Sequence, residues 1–170
     1  MYYLNMEDRI TNKIIGFIKS IGIGVFFETI EGETFVPGIT IRDGAVIVDR
    51  DKLSYPGDLL HEAGHIAVMA SEKRNYLNDN IDVELADAGN EMAAIAWSYA
   101  VCRHLQIDPA VVFHEHGYKG ASDAILENFN TGHYIGVPLL QWYGMTYEPR
   151  QAKELQTEPY PNMINWLSQH

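Results

Sequence analysis

The chain is short of cysteine, of basic residues and of long apolar runs, and each shortage closes off a class of function. Its one cysteine, Cys102, allows no intramolecular disulfide and lies in an apolar run, where a small core residue is expected rather than a thiol catalyst. Only 12 Lys and Arg face 23 Asp and Glu, a formal net charge of −11, and no basic cluster interrupts the surplus. Phosphate backbones and anionic bilayers would be repelled, so nucleic acid and membrane are excluded as expected partners, whereas cations and basic peptides suit the field. The longest apolar stretch free of charge, "MAAIAWSYAVC" at 92–102, is too short to span a bilayer. The opening "MYYLNMEDRITNK" lacks the basic start and apolar stretch of a signal peptide, so a reducing cytoplasm is the expected location.

What is present reads as one domain. The 170 residues are 46% hydrophobic and 21% charged, enough to bury a core without metal or disulfide staples. No internal repeat or low-complexity segment is visible. Residues 6–21 place Ile10, Ile14, Phe17, Ile18 and Ile21 at helical spacing, with Gly22 as a stop. "VFFETI" and "TFVPG" read as two strands around a turn, and "GITIRDGAVIVD" as a hairpin about Asp43-Gly44. Residues 1–55 are thus expected to form a helix and a small, mostly antiparallel sheet. Pro56, Gly57 and Asp58 suit a helix start, and 56–145 reads as helical. A polar connector at 71–80 precedes a second long helix at roughly 82–105, followed by shorter ones at 109–116, 122–130 and 135–143. The tail, 146–170, has three prolines and is expected to pack loosely, with Trp166 and Leu167 as anchors. The fold class expected is α+β.

The chemistry concentrates in "DLLHEAGHIAV", residues 58–68. On a helix, His61 and His65 lie one turn and about 40° apart, while Leu59, Ala63, Ile66, Ala67 and Ala70 cluster near the opposite side. The apolar side packs inward, so two imidazoles converge on the other face, as one tetrahedral ion requires. Glu62, about 100° round from His61, is misplaced for a third ligand but can reach a water bound to that ion, the general-base position of H-E-x-x-H enzymes. Gly64 leaves room for another element. Shuffling this composition, with 7 histidines, gives H-E-x-x-H roughly 0.02 times per chain. The competing reading is a pair of hydrogen-bonded core histidines.

A zinc ion needs a third protein ligand, and "ELADAGNEMAAIAWSYAVCRHL" supplies it. On that helix Ala88, Met92, Ile95, Tyr99 and Cys102 flank Glu91 on one side, and Ala94, Val101 and Leu105 on the other. Glu91 is therefore expected in the middle of an apolar face, where an ionised carboxylate is costly unless a cation pairs with it. Glu84 and Asp87, nearer the polar connector, are the alternatives. "FHEHGY" carries His114, Glu115 and His116, but histidines two apart do not share a helical face. A further donor to stabilise an oxyanion is sought in "NTGHYIGVPLLQWYG", where His133, Tyr134 and Tyr143 are candidates beside ordinary aromatic packing. His104 is expected to face outward at a helix end.

"HEAGH" at 61–65 and "NEMAA" at 90–94 resemble the zincin superfamily of metallopeptidases, specifically its gluzincin branch. The order of a helix, then "GITIRDGAVIVD", then the motif helix is similar to compact ImmA/IrrE-type metallopeptidases across residues 37–100. The resemblance implies a zincin-like fold with His61, His65 and Glu91 holding zinc, and Glu62 as base for hydrolysis of a peptide or protein substrate. It also implies that an extended substrate aligns with an edge strand, for which Ala45 to Asp49 is the candidate. The alternative function is a catalytically inactive zincin-like protein that binds metal and acts through protein contacts.

Overall fold

The computed structural model of the chain describes residues 6–79 and 88–170. Among these residues seven α-helices accompany one three-stranded sheet, an α+β arrangement. The first helix, α1 (Met6–Ser20), carries Glu7 and Asp8 in its first turn and Lys19 in its last, a charge order that suits the helix dipole. It buries Ile14, Ile15, Phe17 and Ile18. At Gly22 the backbone turns to φ +94°, a conformation that costs glycine little, and the helix has ended.

Strands β2 (Ile39–Arg42) and β3 (Ala45–Val48) pair antiparallel from Ile39 with Val48 to Arg42 with Ala45. Asp43 and Gly44 join them, both at positive φ, as a tight two-residue hairpin turn demands. The expectation of a mostly antiparallel sheet fails at the third strand. β1 (Val25–Phe27) pairs parallel with β3, so the order is β1-β3-β2 and the sheet is mixed. The stretches 25–30 and 34–38 do not pair with each other. Asp49 accepts the backbone amide of Ile30 at 3.0 Å and that of Asp51 at 3.1 Å, which draws the chain away from the sheet after Phe27. Val36 makes only an isolated bridge to Ile39.

β3 is consequently the central strand. Both its sides are occupied, and it is not the edge that Ala45 to Asp49 was expected to form. The outer side of β2 is engaged as well. The Ile41 amide donates to Asp79 Oδ2 at 2.8 Å, the Asp79 amide to Ile41 O at 3.3 Å, and the Asp43 amide to Asn78 Oδ1 at 3.0 Å.

Helices α2 (Asp58–Val68) and α4 (Ala88–Leu105) cross the middle of the molecule. α2 buries Leu59, Leu60, Ala63, Ile66 and Ala67 completely, facing α1 and the sheet on one side and α4 on the other. A Cβ on Gly64 would stand 3.1 Å from Ala94 O and 3.3 Å from Ala94 Cβ, so the two backbones meet where both residues are small. Residues 80–87, with Glu84, Asp87 and the expected start of the second long helix, lie outside the described residues. The connector holds a single-turn helix, α3 (Ser71–Arg74).

Beyond α4, the expected helix at 109–116 shrinks to a 3-10 turn at Pro109–Val111, capped by Asp108 accepting the Ala110 amide. A second 3-10 turn covers Tyr118–Gly120. α5 (Ser122–Asn130) and α6 (Val137–Trp142) fall where the spacing put helices. The tail contains α7 (Pro149–Leu155) and is firmly fixed rather than loose. Trp166 stands edge-on to Phe17 at 4.9 Å, its carbonyl accepts Trp97 Nε1–H at 2.9 Å, and buried Tyr160 donates its hydroxyl to Ala96 O at 2.9 Å. The tail prolines did not prevent this because Trp166 and Tyr160 hold it. No helix among the described residues is long and apolar enough to cross a membrane.

Candidate metal centre

Because α2 commits its apolar side to the sheet and α4, His61 and His65 project together from the remaining face. Their Nε2 atoms are 3.1 Å apart and their rings meet edge-on at 4.6 Å. The first turn of α4 adds Glu91, with Oε1 at 3.5 Å from His61 Nε2 and Oε2 at 3.3 Å from His65 Nε2. A tetrahedral ion with bonds of 2.0–2.1 Å sets its donor atoms about 3.3 Å apart. Separations of 3.1, 3.3 and 3.5 Å therefore match one small ion held by three protein ligands. It is the one group of three or more His, Cys, Asp or Glu with this convergence among the described residues.

The outer nitrogen of each ring is also held. His65 Nδ1 lies 2.9 Å from Asn90 Oδ1, and His61 Nδ1 lies 3.0 Å from the Tyr118 hydroxyl. An Nδ1–H donated to such an acceptor leaves the Nε2 lone pair facing the cluster. Neither partner was identified from the sequence. Asn90 carried a signal, since the residue before Glu91 on the same turn reaches the far side of His65. Tyr118 carried none, lying 57 residues beyond its histidine.

The electrostatics couple the three groups, and without an ion a proton on His65 Nε2 pairs with Glu91 where a bound cation would stand. Burial pushes His61 down, to about 4, aided by the charge on His65 and opposed by Glu91, so this ring is neutral and offers its lone pair. Burial also opposes charge on His65, but the hydrogen bond to Glu91 and the charge of Glu62 outweigh it and raise the ring. At Glu91 burial works against ionisation and loses to the hydrogen bond from His65, helped by the neighbouring imidazoles and Lys119, so the carboxyl is lowered and anionic. Glu62 is buried, and burial raises its carboxyl; His65 opposes this, while Asp79, Asp58 and Glu91 reinforce it. A carboxylate beside the cluster but outside its three donors, with a raised affinity for protons, can move a proton.

One expectation about Glu91 is overturned. Its side chain is 43% exposed and its neighbour Met92 is exposed too, so it does not sit in the middle of an apolar face. The described helix begins at Ala88, which leaves Glu91 at the rim of the core, paired with imidazoles rather than enclosed by alkyl groups.

The other candidates go elsewhere. His133 is exposed with Nδ1 3.1 Å from Thr131 Oγ1, and none of the hydrogen bonds or ring contacts of the cluster involves it. Tyr143 lines a cavity of about 160 Å³ together with Lys73, His170 and Asn90, the residue that meets His65 Nδ1. Tyr134 packs against Phe129 and Tyr160, ordinary aromatic packing. His114 turns Nε2 to Asp58 Oδ1 at 3.0 Å, while His116 is exposed beside Glu115, so these two histidines do not converge. His104 faces outward, its ring near Phe17 and Trp166.

Comparisons of the chain with protein-family models, with curated proteins and with solved structures found no match.

Proposed function

We propose that the protein is a zinc-dependent metallopeptidase of the zincin type, in which His61, His65 and Glu91 hold the ion and Glu62 is the general base. The observation that carries this reading is the convergence of three donors at 3.1–3.5 Å while Glu62, next to them, is left out of the triad. A purely structural site has no use for a buried carboxylate beside its ligands. Zinc there supplies Lewis acidity, polarising a carbonyl and lowering the pKa of a water toward about 7. Glu62 takes a proton from the water that attacks the peptide carbonyl and returns it to the leaving amine as the C–N bond breaks, so the carboxylate is regenerated. The peptide class of substrate is supported by the resemblance of "HEAGH" and "NEMAA" to the gluzincin motifs.

Metal analysis and a peptide-library cleavage screen test the reading together. The purified protein is expected to hold about one zinc per chain. Glu62→Gln is expected to keep that zinc and its fold while losing turnover by two orders of magnitude or more. Well under half an equivalent of zinc, not restored by adding the ion, refutes the metal site. A Glu62→Gln variant that cleaves the best peptide at nearly the wild-type rate refutes the base.

A further inference from the structure

Tyr118 belongs to neither motif, yet its hydroxyl lies 3.0 Å from His61 Nδ1, on the side of the ring away from Glu91. We propose that Tyr118 is a positioning residue of the candidate metal centre: its hydroxyl oxygen accepts Nδ1–H of His61 and so aims the Nε2 lone pair of that ring at the ion. The assignment rests on the metal-binding part of the function proposed above.

Three observations carry it. The first is the geometry of the ring itself. The hydroxyl is 3.0 Å from His61 Nδ1, the phenol ring stands edge-on to the imidazole at 5.2 Å, and Phe113 backs it at 5.3 Å. The second is the backbone. Tyr118 and Lys119 have φ of 52° and 54°, two successive non-glycine residues in the left-handed region. Side chains resist that conformation, and it persists where surrounding contacts over-determine it. Here they do. Ser122 Oγ donates to His114 O at 2.6 Å, and the Gly117 amide donates to the same carbonyl at 3.0 Å. His114 is pinned by Asp58 at 3.0 Å and stacked on Tyr55 at 3.9 Å. A Cβ on Gly57 would stand 2.0 Å from Val111 O, so the preceding turn lies hard against the start of α2. The loop thus grips α2 at Asp58 and again at His61, one turn on.

The third observation is the parallel with His65, whose Nδ1 meets Asn90 Oδ1 at 2.9 Å. Two rings have two acceptors from two different elements, and both acceptors are neutral. A neutral acceptor fixes the tautomer without adding negative charge to the ligand, which preserves the positive charge of a bound ion for its chemistry. The opposite arrangement, a tyrosine proton donated to a bare Nδ1, would put hydrogen on His61 Nε2, between the three donors.

The test compares zinc-loaded wild type with Tyr118→Phe, which keeps the ring against Phe113 and removes only the hydroxyl. Zinc affinity, by competition with a chelator, is expected to fall about 10- to 100-fold, the usual effect of losing such a partner. In ¹⁵N-labelled protein the His61 Nδ1–H proton is expected to be protected from exchange in the wild type and to lose that protection in the variant. The His65 Nδ1–H, held by Asn90, is expected to be unchanged and serves as the internal reference. Equal affinities with an unaltered His61 proton overturn the assignment while leaving the zinc site standing. Loss of protection at both rings marks general loosening and overturns a role specific to His61. A wild type that takes up no zinc removes the metal reading itself, and this assignment with it.

Discussion

Glu91→Gln distinguishes two accounts of one residue. Were Glu91 enclosed by apolar neighbours, removing its charge would stabilise the metal-free protein, because an unpaired buried carboxylate is costly. The structure leads to the opposite sign. The carboxylate is 43% exposed and lies 3.3 Å and 3.5 Å from the two imidazoles, so without metal it is one half of a partly solvated ion pair. Pairs of that kind contribute about 0.2–1 kcal/mol after screening, and the variant is expected to lose no more than that. With metal the loss is larger. Structural zinc sites with four ligands bind with about 10–16 kcal/mol, or roughly 3 kcal/mol per ligand, and a neutral amide oxygen replaces a carboxylate poorly. At 1.4 kcal/mol per factor of ten, the zinc Kd is expected to rise on the order of a hundredfold. Chelator competition reads the second quantity, and urea unfolding in excess chelator reads the first. A metal-free variant more stable than wild type by about 1 kcal/mol or more, or a Kd within about threefold of wild type, would refute this account of the residue.

Two predictions concern the scaffold. In Gly136→Ala the new Cβ would meet Met92 O at 2.1 Å with φ at +82°, a clash with the α4 backbone beside Glu91 added to a left-handed penalty; a loss of about 3 kcal/mol or more is expected, and a melting temperature within about 2 °C of wild type would contradict it. Asp49 is held below its ordinary value of 3.8, chiefly by the Ile30 amide and against the effect of burial, with Asp51 and Lys52 assisting. A depressed carboxyl contributes stability above its unfolded pKa and loses it as pH falls through the folded value, so Asp49→Asn is expected to be weaker than wild type near pH 7 and to converge with it in acid; an equal gap in urea unfolding at both pH values would count against that role.

The parts of this fold that were legible in the sequence are those fixed by neighbours in the chain. Asp43-Gly44 between β-branched runs dictates a hairpin because its turn needs two positive φ angles, and β2 and β3 pair as that turn requires. The spacing of His61 and His65 on an amphipathic helix likewise puts both rings on one face whatever else the molecule does. The sheet order was not legible, because β1 pairs with β3 only after the chain leaves it in a loop to β2 whose course depends on Asp49 capturing Ile30, 19 residues away. A helical wheel gave the direction of Glu91 but not what covers that direction. For Tyr118 even the direction was hidden, since Gly117 and Gly120 mark a turn there but not that Tyr118 and Lys119 themselves take positive φ.

The same distinction explains why packing and chemistry are one problem in this molecule. The two histidines stand on α2 and the glutamate on α4, so no local rule sets the distance between them; the contact of the two helices does. That contact is tight at Gly64, one residue before His65, against Ala94, three residues after Glu91. A side chain at Gly64 would have to push back Ala94 O from 3.1 Å, and the helices would part by a few tenths of an ångström. Metal ligation tolerates about 0.2 Å in each bond, whereas a hydrophobic core absorbs such a shift at modest cost. Glycine in the middle of a helix is unfavourable by roughly 1 kcal/mol relative to alanine, and here that cost secures the spacing on which three converging donors depend.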